Sequence, residues 1–304
     1  MLTGFAVIAT VIAVGYALGR GGVLGPEAAT VLSRVAFFVA TPALLFETVS
    51  RADVPAVVSS SLVVTVVSTT AVASVFVAVA SLCWRRSVAE ATIGALASSY
   101  VNAANIGIPV AVYVLGDASF VAPVLMFQLV VMTPVAFAFL EAATAQRRPS
   151  LGTVVLQPLT NPVTIACASG VAASLTGWLP PEPVLRPIEL VAAMAVPATL
   201  IAYGVSLHGA PRPGSGDTGP DVRLAVVLKT VAQPAVAYLV ARFAMGLPAG
   251  LVLACTVTAA LPTAQNVFVY AIRYGRGTVL ARDSILLSTV TAVPVLIGVA
   301  LLAG

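Results

Sequence analysis

The chain has 304 residues, of which 60% are hydrophobic and 9% are charged, and its mean hydropathy is +1.06. Because a soluble domain carries about 25% charged residues, this composition excludes a soluble globular protein and predicts a polytopic membrane protein. The net charge of +4 comes from basic residues spread along the chain without a basic block, so nucleic acid is excluded as a partner.

The cysteines indicate whether disulfides are expected, and the N-terminal stretch indicates whether a signal peptide is expected. Cys83, Cys167 and Cys255 each lie in or at the end of an apolar run, and their odd number predicts no disulfide framework. The first apolar stretch, residues 2–19, is followed rather than preceded by a basic residue. Since this is the reverse of a secretory signal peptide, we interpret it as a retained first helix.

At roughly 20 residues per membrane span, the length of the chain predicts about ten transmembrane helices. The apolar segments assigned to them are residues 2–19, 27–49, 57–83, 88–114, 119–142, 152–177, 183–207, 222–245, 248–273 and 280–303. If the N-terminus is placed outside, twelve of the 15 basic residues fall on one side and only Arg51, Arg186 and Arg242 on the other. Because short cytoplasmic loops carry the positive excess, both termini are predicted to be extracytoplasmic.

The chain resembles itself at a shift of about 155 positions. Matched pairs are Gly15 and Gly170, Gly22 and Gly177, Pro26 and Pro181, Glu27 and Glu182, and Pro42 and Pro197, and at a shift of 160 Pro134 meets Pro294. An odd number of segments per half makes the halves antiparallel in the membrane. We therefore predict an all-α protein of two inverted five-helix repeats, residues 1–145 and 146–304, which is an architecture of secondary transporters.

The fourth segment contains the stretch Asn102 to Pro109 (NAANIGIP), with two amides, a glycine and a proline. Asn102 and Asn105 share one face at helical spacing. Pro109 has no N–H for the carbonyl of Asn105, so the helix is predicted to break or kink there. Backbone freed at membrane depth is tolerated only beside protein or a water-filled cavity, which indicates a substrate site.

The ninth segment has a matching stretch, Pro262 to Asn266 (PTAQN). Half-helices that start near Pro109 and Pro262 would aim positive dipole ends at one cavity, which favours an anion and makes the two prolines neighbours in space. The alternative is that the amides only join helices by hydrogen bonds. The candidate substrate-binding residues are Asn102, Asn105, Gly107, Pro109, Pro262, Thr263, Gln265 and Asn266.

These motifs, with residues 229–234 (KTVAQP) and the tail from Tyr274 to Thr289, resemble the auxin efflux carrier family over nearly the whole chain. The similarity is to its bacterial group, which is similar to plant PIN-formed auxin carriers and organic-acid permeases. The resemblance implies that helices four and nine cross at unwound centres. It also implies a scaffold of helices 1, 2, 6 and 7, a transport domain of helices 3–5 and 8–10, and elevator-like movement.

Carried over by position, the resemblance implies substrate contacts by Asn105, Pro109, Pro262 and Asn266, with Asn102 adjacent. Arg273 departs from the family, whose members often have an acidic residue there. Lys229 has two interpretations: its side chain extends to the cytoplasmic surface, or it faces the cavity as a counter-charge to an anion.

We therefore predict a secondary transporter of small organic anions, auxin-like or other mono- or dicarboxylates, in a bacterial plasma membrane. The alternative is a passive anion channel or a membrane-embedded sensor with the same fold. An enzyme, a metal and a cofactor are not expected, since the sequence has no paired intramembrane aspartates, histidine pair or Gly-x-Ser-x-Gly elbow. The absence of Asp and Glu near either break predicts no sodium dependence, and the Gly15–Gly19 pair could serve a homodimer contact.

Overall fold

A computed structural model describes residues 2–25, 27–51, 60–116, 118–145 and 161–303, and within these ranges the chain is helical, with no strand beyond a single isolated bridge. The helices are α1 (Leu2–Arg20), α2 (Ala28–Ser50), α3 (Ser60–Leu82), α4 (Val88–Ser99), α5 (103–115), α6 (Ser119–Thr144), α7 (Pro162–Thr176), α8 (Glu182–Ala192), α9 (Ala195–Leu207), α10 (Gly216–Ala244), α11 (Ala249–Ala259), α12 (Asn266–Tyr274) and α13 (Thr278–Ala303).

The helices fall on the ten apolar segments of the sequence. The fourth segment is divided into α4 and α5 and the ninth into α11 and α12, while the seventh is interrupted between α8 and α9. The repeat boundary at residue 145/146, Pro26 and the first residues of the third and sixth segments lie wholly or partly outside the described residues.

Six described helices are long and apolar enough to cross a membrane. They are Ala28–Ser50, Ser60–Leu82, Ser119–Thr144, Glu182–Leu207, Gly216–Ala244 and Thr278–Val299. Ala9–Arg20, Pro162–Thr176 and Ala249–Ala259 are apolar but shorter. A multi-pass membrane protein is therefore confirmed, whereas the ten-span inverted repeat remains a prediction.

Local sequence signals set the helix ends. Before α4, the Ser87 hydroxyl accepts a bond from the Glu90 N–H and the Glu90 carboxylate accepts one from the Ser87 N–H, at 3.3 and 3.1 Å. This reciprocal capping satisfies two donors at a helix N-terminus. Before α7, the Asn161 side chain caps the Val163 N–H and proline occupies the first turn, where its missing N–H has no helical partner to lose.

Prolines inside long helices are accommodated by wider, π-helical turns. The π-helical turns Ala36–Ala40, Ala103–Gly107, Phe127–Met132 and Leu228–Ala232 each end two residues before a proline, namely Pro42, Pro109, Pro134 and Pro234. A proline removes one N–H and its ring clashes with the carbonyl four residues earlier, and a widened turn relieves both problems. At Pro109, where the sequence predicts a break or a kink, α5 continues without a break through the widened turn Ala103–Gly107.

α1 packs closely on α9 through glycines. A Cβ on Gly15 would lie 2.5 Å from the Ile201 oxygen, and one on Gly204 would lie 2.2 Å from the Ile12 oxygen. Small residues let membrane helices approach this closely. Gly15 therefore packs within the chain rather than against a second copy. A homodimer remains a prediction, but Gly15 would not be part of its contact surface.

The helices form two groups by contact. α1, α2, α7, α8 and α9 pack mainly on one another, whereas α3, α4, α10, α11 and α13 form a second group. Between them lies an aromatic cluster in which Phe137 meets Tyr270 edge to face with ring centroids 4.8 Å apart. The two broken helices meet beside this cluster.

Candidate functional site

The two helix breaks pair with each other. Val101 and Thr263 form an isolated antiparallel bridge. The Asn102 N–H donates to the Pro262 carbonyl at 2.8 Å, and the Ala264 N–H donates to the Tyr100 carbonyl at 3.0 Å. Each break thus supplies the hydrogen-bond partners that the other has lost, which buried backbone requires at this depth.

The first break lies at Tyr100–Asn102 rather than at Pro109. Tyr100 is extended, at φ −82° and ψ 103°, and α5 begins at Ala103, six residues before the proline. In the second break, α12 begins at Asn266, four residues after Pro262. The expectation that half-helices start near both prolines therefore needs correction for the first, because pairing with the second break sets its position.

Side chains from neighbouring helices complete the pairing. Gln128 of α6 accepts from the Val101 N–H at 2.7 Å and donates to the Val101 carbonyl at 3.1 Å, so one side-chain amide bonds both backbone groups of that residue. The Ser288 hydroxyl accepts from the Thr263 N–H at 3.1 Å. The Thr263 hydroxyl donates to the Ala97 carbonyl at 2.6 Å, near the end of α4.

Both second half-helices present their N-termini at the breaks. Asn102 caps α5 by accepting from the Asn105 N–H at 3.3 Å. At α12, the N–H groups of Gln265 and Asn266 have no partner among the described residues. Orphan N–H groups and the positive ends of helix dipoles together favour a bound anion.

A cavity of about 190 Å³ lies where these two N-termini converge. It is bounded by α2, α9, α5, α6 and the second break. Its lining residues are Thr41, Leu44, Leu45, Thr48, Tyr100, Val101, Asn102, Ala103, Ala104, Asn105, Ile108, Leu125, Gln128, Leu129, Ala195, Val196, Ala264, Gln265 and Asn266. None of these described residues is charged, so the polar character of the cavity comes from amides, hydroxyls and backbone.

One amide nitrogen at this cavity, Nε2 of Gln265, lacks a hydrogen-bond partner. The Asn102 amide group donates to the Gln265 side-chain oxygen at 2.7 Å, which leaves the Gln265 Nε2 buried without a hydrogen bond. Gln265 is 1% exposed, and an unsatisfied buried donor costs about 1–3 kcal/mol. The half-buried side chains of Asn105 and Asn266 line the same cavity. A ligand with acceptor oxygens would satisfy the free donor.

The sequence-predicted residues divide into two groups here. Asn102, Asn105, Gln265 and Asn266 line the cavity, whereas Gly107, Pro262 and Thr263 are not among its lining residues. Gly107 packs against the second break instead, since a Cβ there would lie 2.9 Å from Leu261 Cδ1. The side chain of Pro109 lies outside the described residues.

Lys229 lies inside the helix bundle, which contradicts one of the two interpretations made from the sequence. It is fully buried, so its side chain does not reach the cytoplasmic surface, and it is not among the residues that line the cavity. Its ammonium donates to the Gln233 side chain at 2.6 Å and to the carbonyl of Ala259, the last residue of α11, at 2.8 Å. A role as counter-charge to a substrate therefore stays a prediction.

Arg273, the departure from the family pattern, has aromatic partners. Its guanidinium lies over the rings of Phe38, Phe37 and Tyr274 at 4.8, 5.6 and 5.6 Å from their centroids. Such cation–π contacts hold a cation at an apolar surface. Arg273 is not among the lining residues of the cavity.

Sequence reasoning missed Gln128 and the role of Gln233. Each is a glutamine inside an otherwise apolar segment, and a buried amide in a membrane helix needs partners. That signal was available, but the partners, Val101 for Gln128 and Ser99 for Gln233, are distant in sequence.

A larger groove of about 810 Å³ lies between α10, α11 and α13. Its lining is mostly apolar and includes Tyr238, Val252 and Val295, with Arg242 the one charged side chain among its described lining residues. It contains none of the amides of the two breaks. The cavity at the breaks is therefore the better candidate site.

Similarity to known proteins indicates the family of this chain. The sequence profile of the family described as "Membrane transport protein" matches residues 2–299. A protein of Rhizobium meliloti (strain 1021) named "Putative malonate transporter" is 31% identical over 279 residues, which are 90% of this chain and 86% of that protein. Both alignments span nearly the whole chain. The chain therefore belongs to the membrane transport protein family, the auxin efflux carrier family that its motifs resemble.

Proposed function

We propose that the chain is a secondary transporter of small organic anions that binds its substrate in the cavity between the paired breaks. The observation that carries this proposal is the buried, unpartnered Nε2 of Gln265 beside the free N–H groups of a half-helix N-terminus. These donors bind an anion without a buried countercharge, which would hold it too tightly for release.

The substrate is a short dicarboxylate, for which malonate is the first candidate. A cavity of about 190 Å³ is smaller than the roughly 300–1,000 Å³ of pockets for drug-sized ligands. Two half-helix N-termini converge on it from different segments, which provides one anion-binding end for each of two carboxylates. The name of the Rhizobium meliloti relative supports the same substrate class.

Two inverted repeats, residues 1–145 and 146–304, provide the architecture for alternating access. Left-handed glycines support the repeat, because Gly22 and Gly177 match at the shift of 155 and have φ of +63° and +66°. With ten spans both termini lie on the same side, and the bias of basic residues supports an extracytoplasmic position for both.

The transport domain comprises α3–α6 and α10–α13 and moves past the scaffold of α1, α2 and α7–α9 in an elevator-like step. The separate contact groups of the helices support this division. The cavity also fits it, since α2 and α9 provide one wall and the broken helices provide the other. Movement of the broken helices past that wall would carry the bound anion across the membrane.

Uptake of radiolabelled malonate into proteoliposomes tests the proposal. We expect uptake that saturates with external malonate, rises when unlabelled malonate is loaded inside, and is unchanged when potassium replaces sodium at fixed membrane potential. Flux that neither saturates nor responds to internal malonate would indicate a channel instead. Competition by other organic acids then ranks the substrates.

A further inference from the structure

Two side chains of α10 hold the ends of both first half-helices. Gln233 follows Lys229 by one helical turn, so the two lie on one face of α10. The Lys229 ammonium donates to the carbonyl of Ala259, the last residue of α11. The Gln233 Nε2 donates at 3.1 Å to the carbonyl of Ser99, the last residue of α4.

Two helix C-termini, rather than a carboxylate, lie nearest to Lys229. A helix C-terminus carries about half a negative charge, so the ends of α4 and α11 together offer about one. Lys229 is 0% exposed, and no described Asp or Glu lies within ion-pair distance of it. Its nitrogen instead reaches the two helix ends, directly at Ala259 and through Gln233 at Ser99.

The surroundings of this lysine contain the oxygen atoms that a small cation binds. A void of about 10 Å³ beside the pair is lined by Thr65, Ser68, Thr69, Val101, Val124, Gln233, Cys255, Thr258 and Ala259. Four of these residues carry hydroxyls, and one of them, Thr69, accepts from the Gln233 Nε2 at 3.3 Å. Hydroxyl, amide and carbonyl oxygens are ligands for hard monovalent cations.

We propose that Lys229 is a built-in cation that positions the two broken helices, in place of a free metal cation. The ammonium neutralises the ends of α4 and α11 on one side of the breaks, while the N-termini of α5 and α12 stay free for the substrate on the other. This inference rests on the proposed function for its transport consequence, namely that uptake needs no sodium. Its structural part is independent of the substrate.

Cation rescue of a lysine-deleted protein tests the proposal. Lys229→Ala removes the ammonium and opens space, so we expect its melting temperature in detergent to fall by about 5 °C. Methylammonium chloride or sodium chloride should restore at least half of that loss at constant ionic strength. The chloride of the bulky cation N-methyl-D-glucamine should restore none. An unchanged melting temperature, or a response equal for all three salts, overturns the proposal.

Lys229→Met is the matched control, because its side chain fills the space without a charge. We expect it to fold, to be transport-deficient and to respond to no cation, whereas wild-type transport by this variant overturns the proposal. If Lys229→Ala does not fold in any salt, this control decides alone. The melting-temperature rescue requires no substrate, so its failure is distinguishable from a failure of wild-type protein to transport malonate.

Discussion

Asn102 and Asn105 are three residues apart, but they occupy different environments. Asn102 is 2% exposed, caps α5 and bonds Gln265, so both ends of its amide are used inside the protein. Asn105 is half-buried and lines the cavity. Joining of helices therefore fits Asn102, whereas substrate binding by Asn105 stays a prediction.

This difference predicts separable effects of alanine substitution. Asn105→Ala should raise the KM for the transported anion by about tenfold, or ~1.4 kcal/mol, because a hydrogen bond to a charged group is lost. Its melting temperature should stay close to that of the wild type. Concentration-dependent uptake into proteoliposomes and thermal unfolding of the purified protein measure both quantities.

Asn102→Ala, in contrast to Asn105→Ala, should lower the stability of the protein. It removes a helix cap and the partner of Gln265, which together lower the free energy of unfolding by about 1–3 kcal/mol. The melting temperature should therefore fall below that of Asn105→Ala. An Asn102→Ala protein as stable as the wild type would contradict the assignment of Asn102 to the fold.

Replacing Gln128 should also destabilise the protein, because its side chain bonds the backbone of the first break. Gln128→Leu keeps the volume but leaves the Val101 N–H without a partner, at a cost of about 1–3 kcal/mol, while the Val101 carbonyl still accepts from the Ala103 N–H at 2.8 Å. The melting temperature of the purified protein should fall. Gln128→Glu retains an acceptor for the Val101 N–H and should lie between Gln128→Leu and the wild type.

The helices that contain prolines show which features local sequence rules predict and which they do not. The proline rule predicts a break or a kink at Pro109, and a widened turn two residues earlier carries α5 past the proline without a break. The actual break depends on a bridge between Val101 and Thr263, which are 162 positions apart in the chain. Local patterns predict that a segment contains a break, whereas its exact residue is set by a partner that the sequence does not identify.

The close contact between α1 and α9 predicts that replacing Gly15 by alanine destabilises the protein. Gly15→Ala would place a Cβ 2.5 Å from a backbone oxygen that cannot move independently of its helix. Overpacking of this kind costs about 1–3 kcal/mol, so the melting temperature should fall. Gly298→Ala in α13 is the matched control, since a Cβ there meets nothing within 4 Å. It should be neutral or stabilising by about 0.5–1 kcal/mol.

For the whole molecule, composition and hydropathy predicted the helices well, because membrane depth forces apolar segments into helices. The sequence predicted some of the residues that lie at the cavity, whereas their role in binding stays a prediction. Asn102, Asn105, Gln265 and Asn266 line the cavity, but Gly107 and Thr263 support the paired breaks. Lys229 was counted among the cytoplasmic charges, yet it is buried among helix ends. Its position depends on where α4 and α11 end, which is a property of the assembled fold.

The orientation predicted from basic residues can be tested on a natural cysteine. Cys83 is exposed at the end of α3, whereas Cys167 and Cys255 are buried. With both termini outside, the loop after α3 faces the cytoplasm. A membrane-impermeant thiol reagent should therefore label Cys83 only after cells are permeabilised.

The control for this labelling uses the opposite face. Leu179 is exposed in the loop between α7 and α8, which the same orientation places outside. In a Cys83→Ser background, Leu179→Cys should be labelled in intact cells. Because the positive-inside bias orients the whole chain, the two cysteines must respond oppositely. Labelling of Cys83 in intact cells together with protection of Leu179→Cys would reverse the orientation, and with it the side from which each half-helix enters the membrane.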